Sequence, residues 1–525
     1  MLIFKTAPSP AFSVFTPRPG SPYDSRIQAV ESLKDTVVRE NYSIALENNS
    51  DFEALEANIA SDDDVYLMHQ RLLSSNVQAP QVSEASPNSS LQRSSFSGNI
   101  TCKSIPRAIQ DRSDNPEVLL SRFREHFCPR LSIAAGQNNM WQTRVLPMAN
   151  STPSLWNAIS AMAALHIPTD GRLRIHGAEL MGRSIGALNQ ELEGQPLGVG
   201  TVATILILAF WARCDHGLHN VNVHINGAME ALRIIWTRPL EKASRAALDN
   251  ELLLLAFLSD SCIHMHTLSS LVNSAIADCG YRVLPMVTFC KASQPHFLEV
   301  AWPPDLWTFC TNGLCLFMRQ AADLCYEVRM ATRNADTLSN DASSLMFKLE
   351  EWKPQHPSRC GVQVFDTNTK YLTHTAEACR YTTMLYLQQA VPLGMSTKKL
   401  AHDVFCHLSC VPPSSVTLSQ IYPLFVVGCE ASSNGERQWV KERWEVMIAR
   451  MRVQNVSRCW EITQEVWKRR DAYRQTRNES MAIYDLESDS GSMGDDFEES
   501  DLEFLVGGRL HWASVMKDLD WEVSF

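Results

Sequence analysis

The sequence predicts an all-α protein: a large helical domain of stacked antiparallel helices, joined as αα-hairpins, behind a disordered N-terminal region. Three observations carry this. From about Asn115 onward, apolar residues recur at steps of three and four, the period of one helix face. Strand signals are weak, because no Asn-Gly turn separates alternating runs and Val362–Phe365 is too short to count. Finally, 45% hydrophobic residues over 525 positions suffice for a large core and for two or three domains.

The elements follow in order. Thr152 can cap a helix with Pro153 at its first position, where the missing N–H costs nothing. Leu155–Ile167 is apolar nearly all round, as in a buried helix, and Pro168 stops it. Ala178, Met181, Ile185, Leu188 and Leu192 form one stripe of an amphipathic helix. Thr201–Ala212 is another nearly all-apolar helix, and Ile225, Ala228, Leu232 and Ile235 stripe the next. Helices are further expected over Glu251–Leu271, Leu306–Arg333, Asn340–Trp352 and Thr373–Ala390, the last closed by Pro392. An apolar run ending in Gly428-Cys429-Glu430 then leads through a polar break to a tryptophan-rich helix, Glu436–Met451, and a second helix, Ser457–Arg470.

The flanks differ from this body. Residues 1–113 are read as a disordered Ser/Pro-rich region, with nine serines between Ser74 and Ser97 and few aromatics to build a core. The helical domain is expected over 114–484. An acidic low-complexity insertion follows over 485–508, where nine acids and no Lys or Arg lie between Asp485 and Glu503. A helix over 509–525 is expected to dock back through Leu510, Trp512, Val515, Met516, Leu519 and Trp521.

Composition argues against several functions. The net charge is −11, so the chain repels phosphate as a whole, and the longest basic run is Lys468-Arg469-Arg470. The longest apolar run, Val202–Ala212, is about half of what spans a bilayer. The 15 cysteines have no framework spacing and read as reduced, packed residues. A fungal-type zinc cluster needs paired Cys-x2-Cys thiolates, and the sequence contains no such pair. Nucleophile elbows, phosphate-cradling loops and dinucleotide fingerprints are also missing. Cys214-Asp215-His216 with His219 and His224 is the most metal-like cluster, but it reads more simply as a polar helix-to-helix loop. Cys406, His407 and Cys410 read as core packing, as do Trp439, Trp444, Trp460 and Trp467. Glu442 and Glu445 read as helix-surface partners. No catalytic, cofactor-binding or metal-ligating residue is assigned, and no cofactor is expected.

The stretch Ile421–Asp471 resembles the C-terminal signature of the regulatory domain of fungal zinc-cluster transcription factors, in particular the ARCA-like group. Phe123–Leu131, Val145–Ile167, Ala203–Trp211 followed by His224-Ile225-Asn226-Gly227-Ala228, and Ala376–Pro392 are similar to successive segments of that domain. The resemblance implies a nuclear regulator of RNA polymerase II transcription, and no zinc-ligand or DNA-contacting residue carries over from it. Three readings stay open. One is a regulator whose zinc-cluster DNA-binding part is lost or lies outside this sequence, with DNA reached indirectly. Another is an interaction protein pairing with other transcription factors or coregulators, or with a second copy as a homodimer. The third is a small-molecule-sensing helical protein, or an enzyme, with a pocket inside the helices. None involves a membrane.

Overall fold

The computed structural model describes residues 116–132, 139–165, 171–194, 197–214, 221–236, 245–272, 313–354, 367–415, 417–451, 453–487, 502–521 and 523. The expectations for 1–113, Val362–Phe365 and most of 485–508 lie outside these residues, as do those for Asp215, His216 and His219. All regular structure among the described residues is helical, and none of their helices is long and apolar enough to cross a membrane.

The chain opens with α1 (Pro116–Arg122), a π-helical turn over Phe123–Phe127, and α2 (Cys128–Leu131). A second π-turn, Trp141–Val145, leads into α3 (Leu146–Met148). Then come α4 (Pro153–Leu165), α5 (Gly171–Gly194), α6 (Val199–Cys214), α7 (Val221–Trp236) and α8 (Arg245–Val272). The second half holds α9 (Leu314–Met330), α10 (Ala335–Glu351), α11 (Thr367–Ala390), α12 (Thr397–Ser409) and α13 (Ile421–Glu430). Next are α14 (Asn434–Met451), α15 (Gln454–Glu487) and the short α16 (Trp512–Asp518). Sequential neighbours pack as hairpins, with α4 on α5, α6 on α7 and α11 on α12.

The helices close round two apolar cores. The N-terminal core runs from Leu119 to Met265, and its centre is α6, buried throughout Thr201–Phe210 as its all-round apolar sequence requires. Trp141 stands edge-on between Phe210 and Phe257, with centroids 5.5 and 5.3 Å away. The C-terminal core runs from Leu268 to Val523 and is lined by α9 to α16. Helix α8 is the shared spine: Leu254–Met265 belong to the first core, while Leu268 and Leu271 belong to the second. Leu418 packs against both cores, and Arg450 donates across the seam to the carbonyls of Ser414 (2.7 Å) and Pro129 (3.3 Å).

Most expected helices are present, with shifted ends. The segment Val145–Ile167 is broken at Ala149–Thr152, and only Pro153–Leu165 is the buried helix. The carbonyl of Thr152 accepts from the Trp156 N–H at 3.0 Å, as a helix start should. On α5 the stripe departs from its expected course, because Ala178 is exposed while Leu173, Gly177, Leu180 and Met181 face inward. The inner face therefore runs through Leu180 and Ser184, and small Ala178 is tolerated outside it. Helix α15 extends 17 residues beyond the expected Arg470 end, to Glu487.

Candidate functional site

The stretch carrying the family signature forms a three-helix junction, α13–α14–α15, on which the C-terminal segment rests. Helix α13 is buried from Ile421 to Cys429. It packs tightly against both partners at Gly428, where a Cβ would lie 3.2 Å from Val440 Cγ1 and 3.4 Å from Thr463 Cγ2. Even a methyl at 428 would crowd the Val440 and Thr463 side chains, which would have to give by a few tenths of an ångström, and a larger side chain has no room there. Trp444 is fully buried in this junction. Trp467 lies at its edge and donates its indole N–H to the Gly428 carbonyl at 2.8 Å. The polar break before α14 is a capping box: Glu436 N–H donates to Ser433 Oγ at 3.2 Å, and Glu436 Oε2 accepts from Ser433 N–H at 3.0 Å.

Arginines tie the junction together. Arg470 is 3% exposed. It donates to the carbonyls of Cys429 (2.7 Å) and Leu510 (3.1 Å) and to Glu430 Oε1 (2.9 Å), and it lies over the Phe504 ring. It thus joins α13 to the segment that leads into α16. Arg443 donates to the carbonyls of Leu408 and Val411 at the end of α12. Arg437 grips Asp471 through two bonds of 2.6 and 2.7 Å while lying over Trp467. Arg469 pairs with Asp518 of α16 at 2.6 Å. Trp512 completes the floor, tilted against Tyr386 and His511 and edge-on to Phe425. Burial holds the His511 imidazole well below the usual range, helped by Arg470 and Arg329, so it is neutral. Its Nδ1 accepts from the Ala513 N–H and caps α16.

The basic run Lys468-Arg469-Arg470 is therefore not a surface patch. Only Lys468 is exposed; Arg469 is engaged with Glu465 and Asp518, and Arg470 is internal. Cys406 and Cys410 are also corrected, since both are exposed. Helix α12 shows its apolar face through Leu400, Ala401, Val404 and Leu408, and these two cysteines lie outside that stripe. His407 is half-buried and meets His374 of α11, with Nδ1 atoms 3.1 Å apart. Burial lowers both imidazoles, and His374 is lowered further by His407, so the pair is neutral. His224 is buried and lowered to about 4, which removes it from any surface cluster. No group of three or more His, Cys, Asp or Glu able to hold a metal occurs among the described residues. Trp444 is core as expected, while Trp439, Trp460 and Trp467 pack at its rim. Glu442 and Glu445 take Gln438 and Lys441 as surface partners, also as expected.

The arginines were missed in the sequence, though a signal was present. Arg470 lies on the buried stripe Cys459–Thr463–Val466, and Arg443 lies beside Val440 and Met447. A charged residue on an apolar stripe must find acceptors inside.

A void of about 30 Å³ lies at the seam between the two cores, bounded by Leu131, Phe210, Arg213, Leu418, Met451 and Val456 among others. That is space for a few waters, an order of magnitude below a metabolite pocket.

Comparison with known proteins places this architecture. A segment of 116 residues is 29% identical to the acriflavine sensitivity control protein acr-2 of Neurospora crassa, covering 21% of this chain and 19% of that protein. The chain thus matches about a fifth of that relative's length. No solved structure matches it. The model of the fungal specific transcription factor domain matches residues 118–525, which takes in both cores, the arginine-tied junction and the C-terminal segment. The chain belongs to the fungal-specific transcription factor domain family.

Proposed function

We propose that this protein is a fungal transcriptional regulator of RNA polymerase II genes that acts in the nucleus through its helical domain, with DNA read by another polypeptide segment. The observation that carries this is the family match over 118–525, which spans both cores and the junction. Charge supports the division of labour. The chain carries −11, its one basic run is largely consumed by internal pairing, and its 525 residues contain no Cys-x2-Cys pair. The DNA-reading segment is, on this reading, a zinc-cluster region or a partner transcription factor that docks on the helical domain. The acidic stretch between Asp485 and Glu503 suits a contact with basic coregulators. Family membership also favours a regulatory over a catalytic role.

The test is a reporter assay in a fungal host. The full chain, fused to a heterologous DNA-binding domain, is expected to change transcription from the cognate promoter. Affinity capture from nuclear extract is expected to recover a zinc-cluster factor. A fusion that leaves the reporter unchanged, together with a chain excluded from nuclei, overturns the reading.

A further inference from the structure

Seven of the nine cysteines whose side chains are described are buried, and where burial acts most strongly it makes the thiols inert: it pushes Cys128 and Cys429 up to about 12 and Cys262, Cys325 and Cys459 higher still. Cys406 and Cys410 are the two exposed ones, one helical turn apart at the end of α12. Cys406 Sγ lies 3.4 Å from His402 Nε2, a turn earlier on the same exposed stripe. Helix geometry sets the Cα atoms of positions 406 and 410 about 6 Å apart, but their Cβ atoms are about 5–6 Å apart, wider than the roughly 4 Å a disulfide needs, so the bond requires the last turn to tighten or unwind. Cys410 is already the C-cap, its N–H shared between the carbonyls of His407 and Leu408, so the last turn can yield without breaking the helix body.

We propose that His402, Cys406 and Cys410 form a thiol-oxidation site, in which Cys406 is the reactive thiol, His402 the positioning residue that takes its proton, and Cys410 the resolving thiol, with a hydroperoxide as oxidant. His402 Nε2 accepts the Cys406 proton as the sulfur attacks a peroxide oxygen. The O–O bond breaks, sulfur becomes a sulfenic acid, and the proton leaves with the departing oxygen as water or an alcohol. Cys410 Sγ then attacks the sulfenic sulfur. The S–O bond breaks, hydroxide takes the Cys410 proton and leaves as water, and a disulfide remains. The peroxide gains the two electrons that the two sulfurs lose. The site reports inward, because the turn that must adjust carries the Leu408 and Val411 carbonyls that hold Arg443 of α14. This inference does not depend on how the chain reaches DNA.

The test uses the full reduced chain with hydrogen peroxide, followed by alkylation and peptide mass spectrometry that reads each cysteine separately. Cys406 and Cys410 are expected to lose alkylation together and to appear as one intramolecular disulfide, with Cys128, Cys262 and Cys429 unchanged. Cys410→Ser should instead yield a dimedone adduct on Cys406, and Cys406→Ser should protect Cys410. His402→Gln should slow iodoacetamide attack on Cys406 by about tenfold relative to Cys410 in the same molecule, with an unchanged melting temperature. Oxidation of the buried cysteines at the same rate, or equal reactivity of Cys406 and Cys410 that ignores His402→Gln, overturns the proposal.

Discussion

The two cores of this molecule solve the same problem, the unsatisfied ends of buried helices, with opposite charges. In the N-terminal core an acid serves a helix N-terminus: Glu191 of α5 accepts from the Ser154 N–H (3.2 Å) and hydroxyl (2.8 Å) at the start of α4. Ser184 Oγ donates to the Ser154 carbonyl and Thr204 Oγ1 lies 2.9 Å from Ser154 Oγ, so three helices meet at this knot. In the C-terminal core, arginines serve helix C-termini. Arg380 donates to the Leu349 carbonyl near the end of α10, Arg443 to Leu408 at the end of α12, and Arg470 to Cys429 at the end of α13. Both choices follow the helix dipole and the orphan groups at each end. The difference lies in the group that does the joining. Both halves bond residues remote in sequence through one side chain: 154, 191 and 204 through the Ser154 hydroxyl, and 429, 470 and 510 through Arg470. The hydroxyl has a single donor, whereas the guanidinium brings five donors and a fixed charge to the helix ends it serves.

Arg470 is where this contrast breaks most easily. Arg470→Met keeps the apolar stem but leaves two buried carbonyls and the Glu430 carboxylate without their donor. The expected cost is about 3–5 kcal/mol. Hydrogen exchange should show lost protection in α13, α15 and α16 with α4 to α7 still protected. Uniform loss across both cores would mean that the shared spine α8 makes them one cooperative unit.

Acid tests the cores by another route. His224 in the first core is held neutral by burial, with its affinity for protons lowered to about 4 from the ordinary 6.5. The unfolded chain binds that proton more readily, so folding stability is intact above about 6.5 and falls as the pH drops from there toward 4. The shift corresponds to something on the order of 3 kcal/mol. His511 works in the same direction in the second core, so wild-type acid unfolding does not separate them. His224→Gln should flatten the slope between pH 6.5 and 4 in the N-terminal core only, measured as denaturant midpoints against pH with exchange as the local reporter.

The knot itself is a smaller lever. Ser154→Ala removes the hydroxyl that Glu191 accepts from, but the backbone N–H still reaches the carboxylate. The expected loss is about 1–2 kcal/mol, the size of a missing N-cap bond. A loss as large as that of Arg470→Met would show that the Glu191 knot is as central to its core as the guanidinium is to the other.

These asymmetries also mark how far the sequence could be read. The helices were legible because packing imposes the same period that apolar residues display: Ile225, Ala228, Leu232 and Ile235 are all buried where expected. Ala178 was misplaced because alanine fits either face of a helix, so a stripe that includes it can drift by one position. Lys468-Arg469-Arg470 was read by composition, as a basic run. Its fate depends instead on the angle at which each residue leaves α15, and 470 leaves it toward Val466 and the core. Cys406 and Cys410 were assigned to the interior because cysteine is usually buried, while the helix face they share with His402 is the outer one. Contacts such as Arg470 with Leu510 join segments forty residues apart and have no local signature.

The last test asks whether any cation at the junction behaves like Arg470, or only a buried one. Arg437 holds Asp471 with two short bonds and lies over Trp467, a geometry as good as that of Arg470, but the Asp471 side chain is 50% exposed. Water already solvates both charges, so the pair should contribute at most about 1 kcal/mol, reduced by salt. Its pH dependence has a definite sign. The Arg437 bond holds the Asp471 carboxyl below the ordinary carboxylate range. The contribution is therefore present at neutral pH and is lost as the pH falls below about 4 and through the lowered folded value. Arg437→Lys, which gives up the bidentate fork and the stacking, should shift the unfolding midpoint only slightly, and high salt should shrink even that difference. A shift comparable to that of Arg470→Met would show that planar geometry, and not burial, is what makes the arginines of this half matter.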